Sequence, residues 1–140
     1  MIKELLSTKE ILGAFPIMKQ LRPHLHENSY VELVMAAKES DGYRMFALFE
    51  QNKMAAVIGF KPMITLSSGK FVWICDLVTD QTIRSKGNGE RLLSFVEEWA
   101  KENKFESISL SSGLERTGAH RFYEDKMDYT KTSYVYKKYL

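Results

Sequence analysis

An apolar run followed by an amphipathic stripe occupies the middle of the chain. Phe71 to Val78 is almost continuously apolar and rich in β-branched and aromatic residues, which is typical of a strand covered on both faces. From Asn88 onward the apolar residues recur at helical spacing, at Leu92, Phe95, Val96, Trp99 and Ala100. The pattern predicts a central strand, a polar loop and an amphipathic helix, in that order.

Two helices are predicted before this strand, after a short first strand that Ile2 to Leu6 can supply. Residues 8–22 have one apolar face, and Ser7 with Glu10 fits a capping box at the start of the helix. Pro16 lies inside this pattern and predicts a kink or a split, because proline cannot donate a helical hydrogen bond. The residues of the apolar face are Ile11, Phe15, Met18 and Leu21.

The second helix is predicted to begin at Ser29, where Glu32 completes another capping box, and to end at Asp41-Gly42. Its inward residues are predicted to be Val31, Val34 and Met35. The polar connection before it contains His24 and His26. No cysteine or acidic cluster accompanies these two histidines in the sequence, so no metal site is predicted.

Two further strand-like runs precede the central strand. They are Tyr43 to Glu50 and Lys53 to Phe60, and Gln51-Asn52 between them predicts a hairpin turn. Pro62 and Ser67-Ser68-Gly69 are predicted to break the segment that follows. With the central strand, these runs predict a meander of three antiparallel strands.

The last third of the chain is predicted to contain a strand, a short helix and a final strand. Phe105 to Leu110 should lie parallel to the central strand, because a strand–helix–strand passage makes a right-handed crossover. Residues 118–125 form the short helix, and Tyr129 to Tyr139 alternates at Tyr134 and Tyr136. The element order predicts an α/β (α+β) fold, one mixed sheet with helices on both faces.

Composition narrows the class of protein. The 140 residues are 44% hydrophobic and 27% charged, which predicts one globular domain. A net charge of +2 gives no support for nucleic acid as a partner. One cysteine excludes a disulfide framework within the chain and favours a reducing compartment. Because neither a signal peptide nor a membrane-spanning run is visible, we expect a cytoplasmic protein without a membrane partner.

The loop between the central strand and its helix predicts an anion site. Its sequence is Arg84-Ser85-Lys86-Gly87-Asn88-Gly89, in which the two glycines permit a tight turn and close approach of a ligand. A helix begins with unpaired backbone N–H groups and a partial positive charge, and the side chains of Arg84 and Lys86 add further positive charge. A phosphate group fits such a site. The alternative is an ordinary strand-to-helix turn whose glycines only relieve backbone strain.

Two familiar phosphate-binding motifs do not match this loop. A Walker loop requires Gly-Lys-Ser/Thr at the helix start, where this chain has Gly89-Glu90-Arg91. A dinucleotide fingerprint requires a third glycine where this chain has Leu92, and no ribose-binding acid is evident downstream.

The loop resembles motif A of the GNAT superfamily of acetyl-CoA-dependent N-acetyltransferases. That motif is Arg/Gln-x-x-Gly-x-Gly/Ala, and Arg84 to Gly89 matches each defined position. Asp76-Leu77-Val78-Thr79 resembles the preceding strand end, and Ala119-His120-Arg121-Phe122-Tyr123-Glu124 resembles motif B. Further segments, among them Leu21 to Leu25 and Gly42-Tyr43-Arg44, resemble a group of small bacterial GNAT proteins.

The resemblance covers nearly the whole chain, with two departures. Ser111 stands where an acidic residue is common, which puts a possible acid on the substrate side in doubt. Asp128 replaces a glycine usually found before the last strand, which bears on turn geometry. The resemblance implies a single N-acetyltransferase domain over residues 1–140, with a mixed, mostly antiparallel central sheet.

The resemblance also implies acetyl-CoA as cofactor and assigns residues to it. Backbone N–H groups near Leu77 and Val78, with Thr79 continuing that edge, would hold the pantetheine arm and polarise the thioester carbonyl. Phe122 would pack against the arm. The diphosphate would contact the loop and first helical turn, which are Arg84, Ser85, Lys86, Gly87, Asn88, Gly89 and Glu90.

Asp76 and Tyr123 are the predicted catalytic residues. Asp76 can take a proton from the attacking primary amine, directly or through water, although it could instead face solvent or pair with a basic neighbour. His120 is a second candidate base. The resemblance implies that Tyr123 protonates the departing thiolate. Cys75 could form an acetyl-cysteine, but it lies in an apolar strand, so direct transfer in a ternary complex is favoured.

Several functional questions stay open at this level. The acceptor can be a small amine or a protein amine, and a homodimer is possible. A catalytically silent CoA-binding module, acting as a sensor or a subunit, is the alternative to an enzyme. The intact loop and Tyr123 argue against the module, whereas Ser111 argues slightly for it.

Overall fold

The computed structural model describes residues 1–83 and 86–140. The chain divides into two compact units, Met1–Ser109 and Leu110–Leu140, and each is described by itself. The described helices are α1 (Thr8–Gly13), α2 (Phe15–Leu21), α3 (Glu27–Asp41), α4 (Asn88–Glu102) and α5 (Thr117–Arg121). The strands are β1 (Ile2–Glu4), β2 (Arg44–Glu50), β3 (Lys53–Thr65), β4 (Gly69–Thr79) and β5 (Ser107–Leu110).

The strands form one sheet in the order β1-β2-β3-β4-β5. The pairs β1–β2, β2–β3 and β3–β4 are antiparallel, which confirms the meander and the short first strand. Pro62 does not break β3, so that prediction is wrong. The pairing of β3 with β2 ends at Phe60 opposite Arg44, and beyond it β3 pairs with β4 alone. At Pro62 one side of β3 is therefore an edge of the sheet, where the missing backbone N–H group of proline costs no hydrogen bond between strands.

The two N-terminal helical predictions had different outcomes. The chain breaks between α1 and α2 at Ala14, two residues before Pro16, and the capping box of Ser7 and Glu10 is present. The second helix begins at Glu27, because His26 is its N-cap and Ser29 completes that capping box. The predicted start at Ser29 with Glu32 is wrong. Met35 is also exposed rather than inward, whereas Val34 is buried.

Helices cover both faces of the sheet, as predicted. On one face, residues of α1, α2 and α3 pack with Met45, Ala47, Val57 and Val78 in a single apolar cluster. On the other face, α4 packs through aromatic rings. The ring centroids of Phe46 and Phe95 lie 5.1 Å apart, and those of Phe60 and Trp99 also lie 5.1 Å apart.

The unit Leu110–Leu140 contains α5, followed at once by a π-helical turn, Phe122–Lys126. The predicted final strand from Tyr129 to Tyr139 is wrong, since no residue of that range is in a strand. Residues 131–140 are exposed, and alternation of side chains yields a strand only where another strand offers backbone partners. Within the described residues, no helix is both long enough and apolar enough to cross a lipid bilayer.

Candidate active site

A β-bulge at Cys75 sets the geometry of β4. Gly59 pairs with Asp76, but the next residue of β3, Phe60, pairs with Ile74, so Cys75 has no opposite residue. Bulges bend a strand, redirect its side chains and interrupt the ladder of backbone hydrogen bonds. The carbonyl oxygen of Cys75 instead accepts a hydrogen bond from Nη2 of Arg22, at 3.1 Å. An arginine of the segment after α2 thereby stabilises the bulge.

The bulge brings Asp76 into a small polar cluster. Oδ1 of Asp76 accepts a hydrogen bond from Nε of Arg22 at 3.2 Å, and Oδ2 accepts one from the hydroxyl of Tyr43 at 2.9 Å. The Asp76 side chain is 19% exposed. Of the alternatives open at the sequence level, pairing with a basic neighbour is present here. A carboxylate has about four acceptor positions, so each oxygen keeps one for another donor.

Gly59 makes the contact between Tyr43 and Asp76 possible. A Cβ atom built on Gly59 would overlap the hydroxyl and ring of Tyr43, so the missing side chain is the space that this ring fills. Burial, followed by the charge of Asp76, raises the pKa of Tyr43 well above its usual value. The phenol therefore keeps its proton and donates a hydrogen bond to the carboxylate.

Sequence reasoning missed the roles of Arg22, Tyr43 and Gly59. Arg22 and Tyr43 do lie in two of the segments that resemble small GNAT proteins, which was the available signal. Gly59 lies in an apolar run and gave no signal.

A cavity of about 310 Å³ opens beside this cluster. Helices α2 and α3 and strands β2 to β4 surround it. Its apolar wall includes Met18, Leu25, Leu33, Val34 and Met45. Its charged groups are Arg22, Asp41, Lys61 and Asp76, and His24 and Cys75 also line it. Strand β4 thus lines the cavity with Cys75 and Asp76 and continues into Leu77 to Thr79, the segment that is predicted to hold the cofactor arm.

The thiol of Cys75 is not ionised at neutral pH in this setting. Burial, together with the charge of Asp76, raises its pKa to about 11. Its Sγ lies 3.9 Å from the carbonyl oxygen of Trp73. A thiol is a poor nucleophile compared with a thiolate, which favours direct transfer over an acetyl-cysteine intermediate.

The predicted arm-binding residues lie at the end of β4. Leu77, Val78 and Thr79 pair on one side with Ile58, Val57 and Ala56 of β3. On the other side β5 begins near the start of β4, since the Glu106 amide donates to the Lys70 carbonyl at 2.9 Å. A strand of four residues spans about 13 Å, whereas Lys70 and Leu77 are about 23 Å apart along β4. β5 is therefore too short to pair along the whole of β4.

Asp80 anchors the turn that leads from β4 towards the glycine loop. Its carboxylate accepts hydrogen bonds from the Thr82 amide at 3.1 Å and from Nε2 of Gln20 at 3.3 Å. The Gln81 amide donates back to Oε1 of Gln20 at 2.9 Å. The bond from the Thr82 amide is the main cause that lowers the pKa of Asp80. Through Gln20, helix α2 thereby holds Asp80 and Gln81, which follow β4 directly.

The start of α4 offers donors to an anion. Gly87 is its N-cap with φ 75°, and because glycine has no side chain, the N-cap residue supplies no acceptor to the first amides. Nδ2 of Asn88 is buried and has no hydrogen-bond partner among the described residues. Arg91 pairs with Glu50 of β2 and holds this turn against the sheet. These groups fit a phosphate.

Two predicted loop residues, Arg84 and Ser85, lie outside the described residues, so their predicted phosphate contacts stay predictions. Lys86 is exposed. Gly89 and Glu90 lie in the first turn of α4, as the motif requires.

Tyr123, Phe122 and His120 belong to the unit Leu110–Leu140. Tyr123 is buried, and its ring centroid lies 5.2 Å from that of Phe122 and 6.0 Å from that of Tyr129. A ring nitrogen of His120 lies 2.8 Å from the carbonyl oxygen of Gly113. That contact gives His120 a structural role within its own unit.

Comparison with known proteins supports the family. The model of the acetyltransferase (GNAT) family matches residues 8–129. An uncharacterized N-acetyltransferase of Bacillus subtilis, YhdJ, is 40% identical over 137 residues, covering 98% of this chain and 96% of its own.

Two solved structures show the same fold. A GNAT family acetyltransferase of Staphylococcus aureus has a TM-score of 0.80 at 21% identity and covers 100% of this chain and 98% of its own. An aminoglycoside acetyltransferase from an uncultured soil sample, in complex with trehalose, has a TM-score of 0.81 at 14% identity. That alignment covers 100% of this chain and 95% of the other.

The mixed sheet, the glycine at the start of α4 and the similarity to these relatives all indicate the same family. GNAT acetyltransferases generally use acetyl-CoA as co-substrate and act on amine acceptors such as aminoglycosides or proteins. This chain belongs to the GNAT family of N-acetyltransferases.

Proposed function

We propose that this chain moves an acetyl group from acetyl-CoA to a primary amine by direct attack within a ternary complex. One observation carries the proposal. The bulge at Cys75 turns Asp76 towards a cavity, and the same strand continues into Leu77, Val78 and Thr79. A proton acceptor, a space for an acceptor and the strand end that resembles an arm-binding segment are therefore consecutive along β4.

The start of α4 would hold the diphosphate of acetyl-CoA, whose thioester supplies the acetyl group. The first turn from Asn88 to Glu90 provides amide donors, and the N-cap ahead of it, Gly87, has no side chain. Within this turn, Nδ2 of Asn88 has no hydrogen-bond partner among the described residues. Arg84, Ser85 and Lys86 would complete the site by their charge and amides. Leu77 to Thr79 would orient the arm and Phe122 would pack on it.

Asp76 would accept the proton that the amine must lose before it attacks. An alkyl ammonium has a pKa near ~10, so the neutral amine is scarce at neutral pH. Arg22 and Tyr43 each occupy one position on the Asp76 carboxylate and fix its orientation. The remaining acceptor positions can take an ammonium proton directly or through water.

Replacing Asp76 with Asn tests that role. The amide keeps an oxygen for Arg22 or Tyr43 but cannot take a proton, so we expect the turnover number to fall by about 10²-fold or more. Affinity for coenzyme A should stay within twofold, since Asp76 is placed on the acceptor side. Unchanged turnover of the Asn variant would remove Asp76 from the reaction.

Tyr123 would protonate the leaving thiolate, since a phenol hydroxyl can act as a general acid. Replacing Tyr123 with Phe should lower turnover more than cofactor affinity. Wild-type turnover in that variant would end this assignment.

The decisive experiment combines calorimetry with coenzyme A and free-thiol release from acetyl-CoA with a panel of amines. Binding together with amine-dependent thiol release supports the enzyme. Tight binding without release for any amine would instead identify a silent module. No binding at all would contradict both.

We also place the protein in the cytoplasm, supported by its single unpaired cysteine, which suits a reducing compartment. A homodimer remains a prediction from the resemblance.

A further inference from the structure

The cavity beside Asp76 is small and mostly apolar on its inner side. Its volume of about 310 Å³ lies at the lower end of the range of ligand pockets, roughly 300–1,000 Å³. Such a space takes one small molecule or the end of a longer one. Tyr30, Val34 and Met45 form part of its wall and are buried, which makes that wall firm.

Leu33 gives the cavity an apolar surface that is not packed against the protein core. It lines the cavity from α3, yet it is 60% exposed. Burying apolar surface releases about 25 cal/mol for each Å², so an apolar group of a ligand gains by covering Leu33. An apolar arm beside this leucine would therefore add to affinity.

The charges around the cavity compensate each other. Asp41 and Asp76 are matched by Arg22 and Lys61, and two negative and two positive charges sum to zero. Lys61 lies 3.5 Å from Asp41, and Arg22 lies 3.2 Å from Asp76. One ammonium can use the remaining acceptor positions of Asp76. A second ammonium on the same ligand would gain no net attraction, because no excess of negative charge exists among these four groups.

We propose that this cavity receives the acyl acceptor and selects a small primary monoamine with one apolar arm, alkyl or arylalkyl, over polycations. The chemistry of this inference rests on the proposed function, whereas the selectivity rests on the cavity itself. The ammonium loses one proton through Asp76, and its nitrogen then forms a bond to the thioester carbonyl carbon. The carbon–sulfur bond breaks, the nitrogen loses its second proton to give the amide, and the sulfur leaves with the bonding pair and takes up one proton as the free thiol.

Phenethylamine and spermidine are the test amines. With acetyl-CoA at saturation, we expect kcat/KM for phenethylamine to exceed that for spermidine by at least about tenfold. Equal values, or a preference for spermidine, would overturn the inference while leaving the acetyltransferase activity established.

Leu33→Asn tests the apolar wall, with Leu6→Asn as its control. Both leucines are 60% exposed, but Leu6 does not line the cavity, so neither change should unfold the protein. We expect L33N to raise KM for phenethylamine about tenfold with kcat changed less than twofold, and L6N to change neither. An equal effect of both variants, or none from L33N, would overturn the assignment of the wall.

Lys61→Met tests the charge argument, with Lys70→Met as its control outside the cavity lining. Removing one positive charge should raise the ratio of kcat/KM for spermidine to kcat/KM for phenethylamine about fivefold, which corresponds to one weakly screened charge–charge interaction, whereas K70M should leave this ratio unchanged. No rise in this ratio for K61M would contradict the role of charge in selection.

A binding measurement separates this inference from the proposed function. Calorimetry of phenethylamine with the protein saturated by coenzyme A reports on the cavity without any turnover. Binding that L33N weakens supports the cavity even where no thiol is released, in which case the reaction, and not the pocket, is wrong. Failure of phenethylamine to bind the coenzyme A complex would overturn the inference.

Discussion

At the residue scale, groups from separate elements hold the carboxylate of Asp76. Arg22 follows α2, Tyr43 precedes β2, and Gly59 of β3 lies directly opposite Asp76 in the sheet. Tyr43 can reach the carboxylate only because Gly59 has no side chain. Arg22 also binds the carbonyl of Cys75, so the same residue stabilises the bulge and orients the acid.

The dependence of Tyr43 on Gly59 predicts a non-additive pair of substitutions. Tyr43→Phe removes a hydrogen bond to a charged group and should lower the free energy of unfolding by about 1.5–3 kcal/mol. Gly59→Ala should cost at least as much, because its Cβ displaces the ring and breaks the same hydrogen bond. Adding Tyr43→Phe to Gly59→Ala should therefore cost clearly less than it does alone, as measured by urea unfolding. Strict additivity would show that the two residues act independently.

Cys75 predicts a pH dependence of both reactivity and stability. Since its pKa is raised from 9.0 to about 11, alkylation by iodoacetamide should reach half of its maximal rate near pH 11 in the folded protein. In the unfolded state the thiol ionises at its ordinary value. The stabilisation from the protonated thiol is thus complete below pH 9 and is lost as pH rises towards 11.

The urea-unfolded protein is the control for this experiment, because Cys75 is the sole cysteine. Its alkylation profile should have a midpoint near 9. A midpoint near 9 in the folded protein as well would contradict the burial of the thiol.

At the scale of elements, capping-box patterns in the sequence predicted the start of α1 correctly and the start of α3 wrongly. The Ser7–Glu10 capping box formed as predicted, because its hydrogen bonds join residues within four positions. The Ser29–Glu32 box did not form, although the pattern was equally good, because His26 caps the helix one turn earlier. Two overlapping caps compete here, and the helix begins with the one that His26 and Ser29 form.

The first turn of α4 predicts the effect of a bulky residue near the expected diphosphate. Gly89→Val should abolish detectable binding of coenzyme A in calorimetry, because its side chain would block close approach of a ligand to the backbone. Gly89 is in helical conformation, so valine should leave the fold intact by circular dichroism.

Gly13→Val is the matched control for this variant. Gly13 also lies in a helix, and a Cβ there meets nothing within 4 Å. We expect its affinity for coenzyme A to equal that of the wild type. Unchanged affinity in Gly89→Val would defeat the assignment of the loop.

At the scale of the whole molecule, the pattern of element order predicted the class of fold but not its last element. The mixed sheet with helices on both faces is present, whereas the alternating segment from Tyr129 to Tyr139 forms no strand. Alternation predicts which face a side chain would take in a strand, but it cannot supply the neighbouring backbone that makes one.

Truncation of residues 131–140 tests whether this segment forms the predicted strand or lies exposed without one. Because each of these residues is exposed, their removal should lower the melting temperature by less than about 2 °C. Thermal unfolding of the full chain is the reference. A large loss of stability would show that the segment contributes a strand, as its alternation predicts.

The sequence by itself determined the strand, loop and helix around Gly87 and Gly89, because a helix start exposes its own amides whatever surrounds it. The tertiary structure alone decided the bulge at Cys75 and the cluster around Asp76. Residues 22, 43, 59 and 76 meet only after the register of β3 and β4 is established, and register is a property of pairing between distant segments. The family resemblance pointed to segments of this cluster, but the space left by Gly59 became visible only in three dimensions.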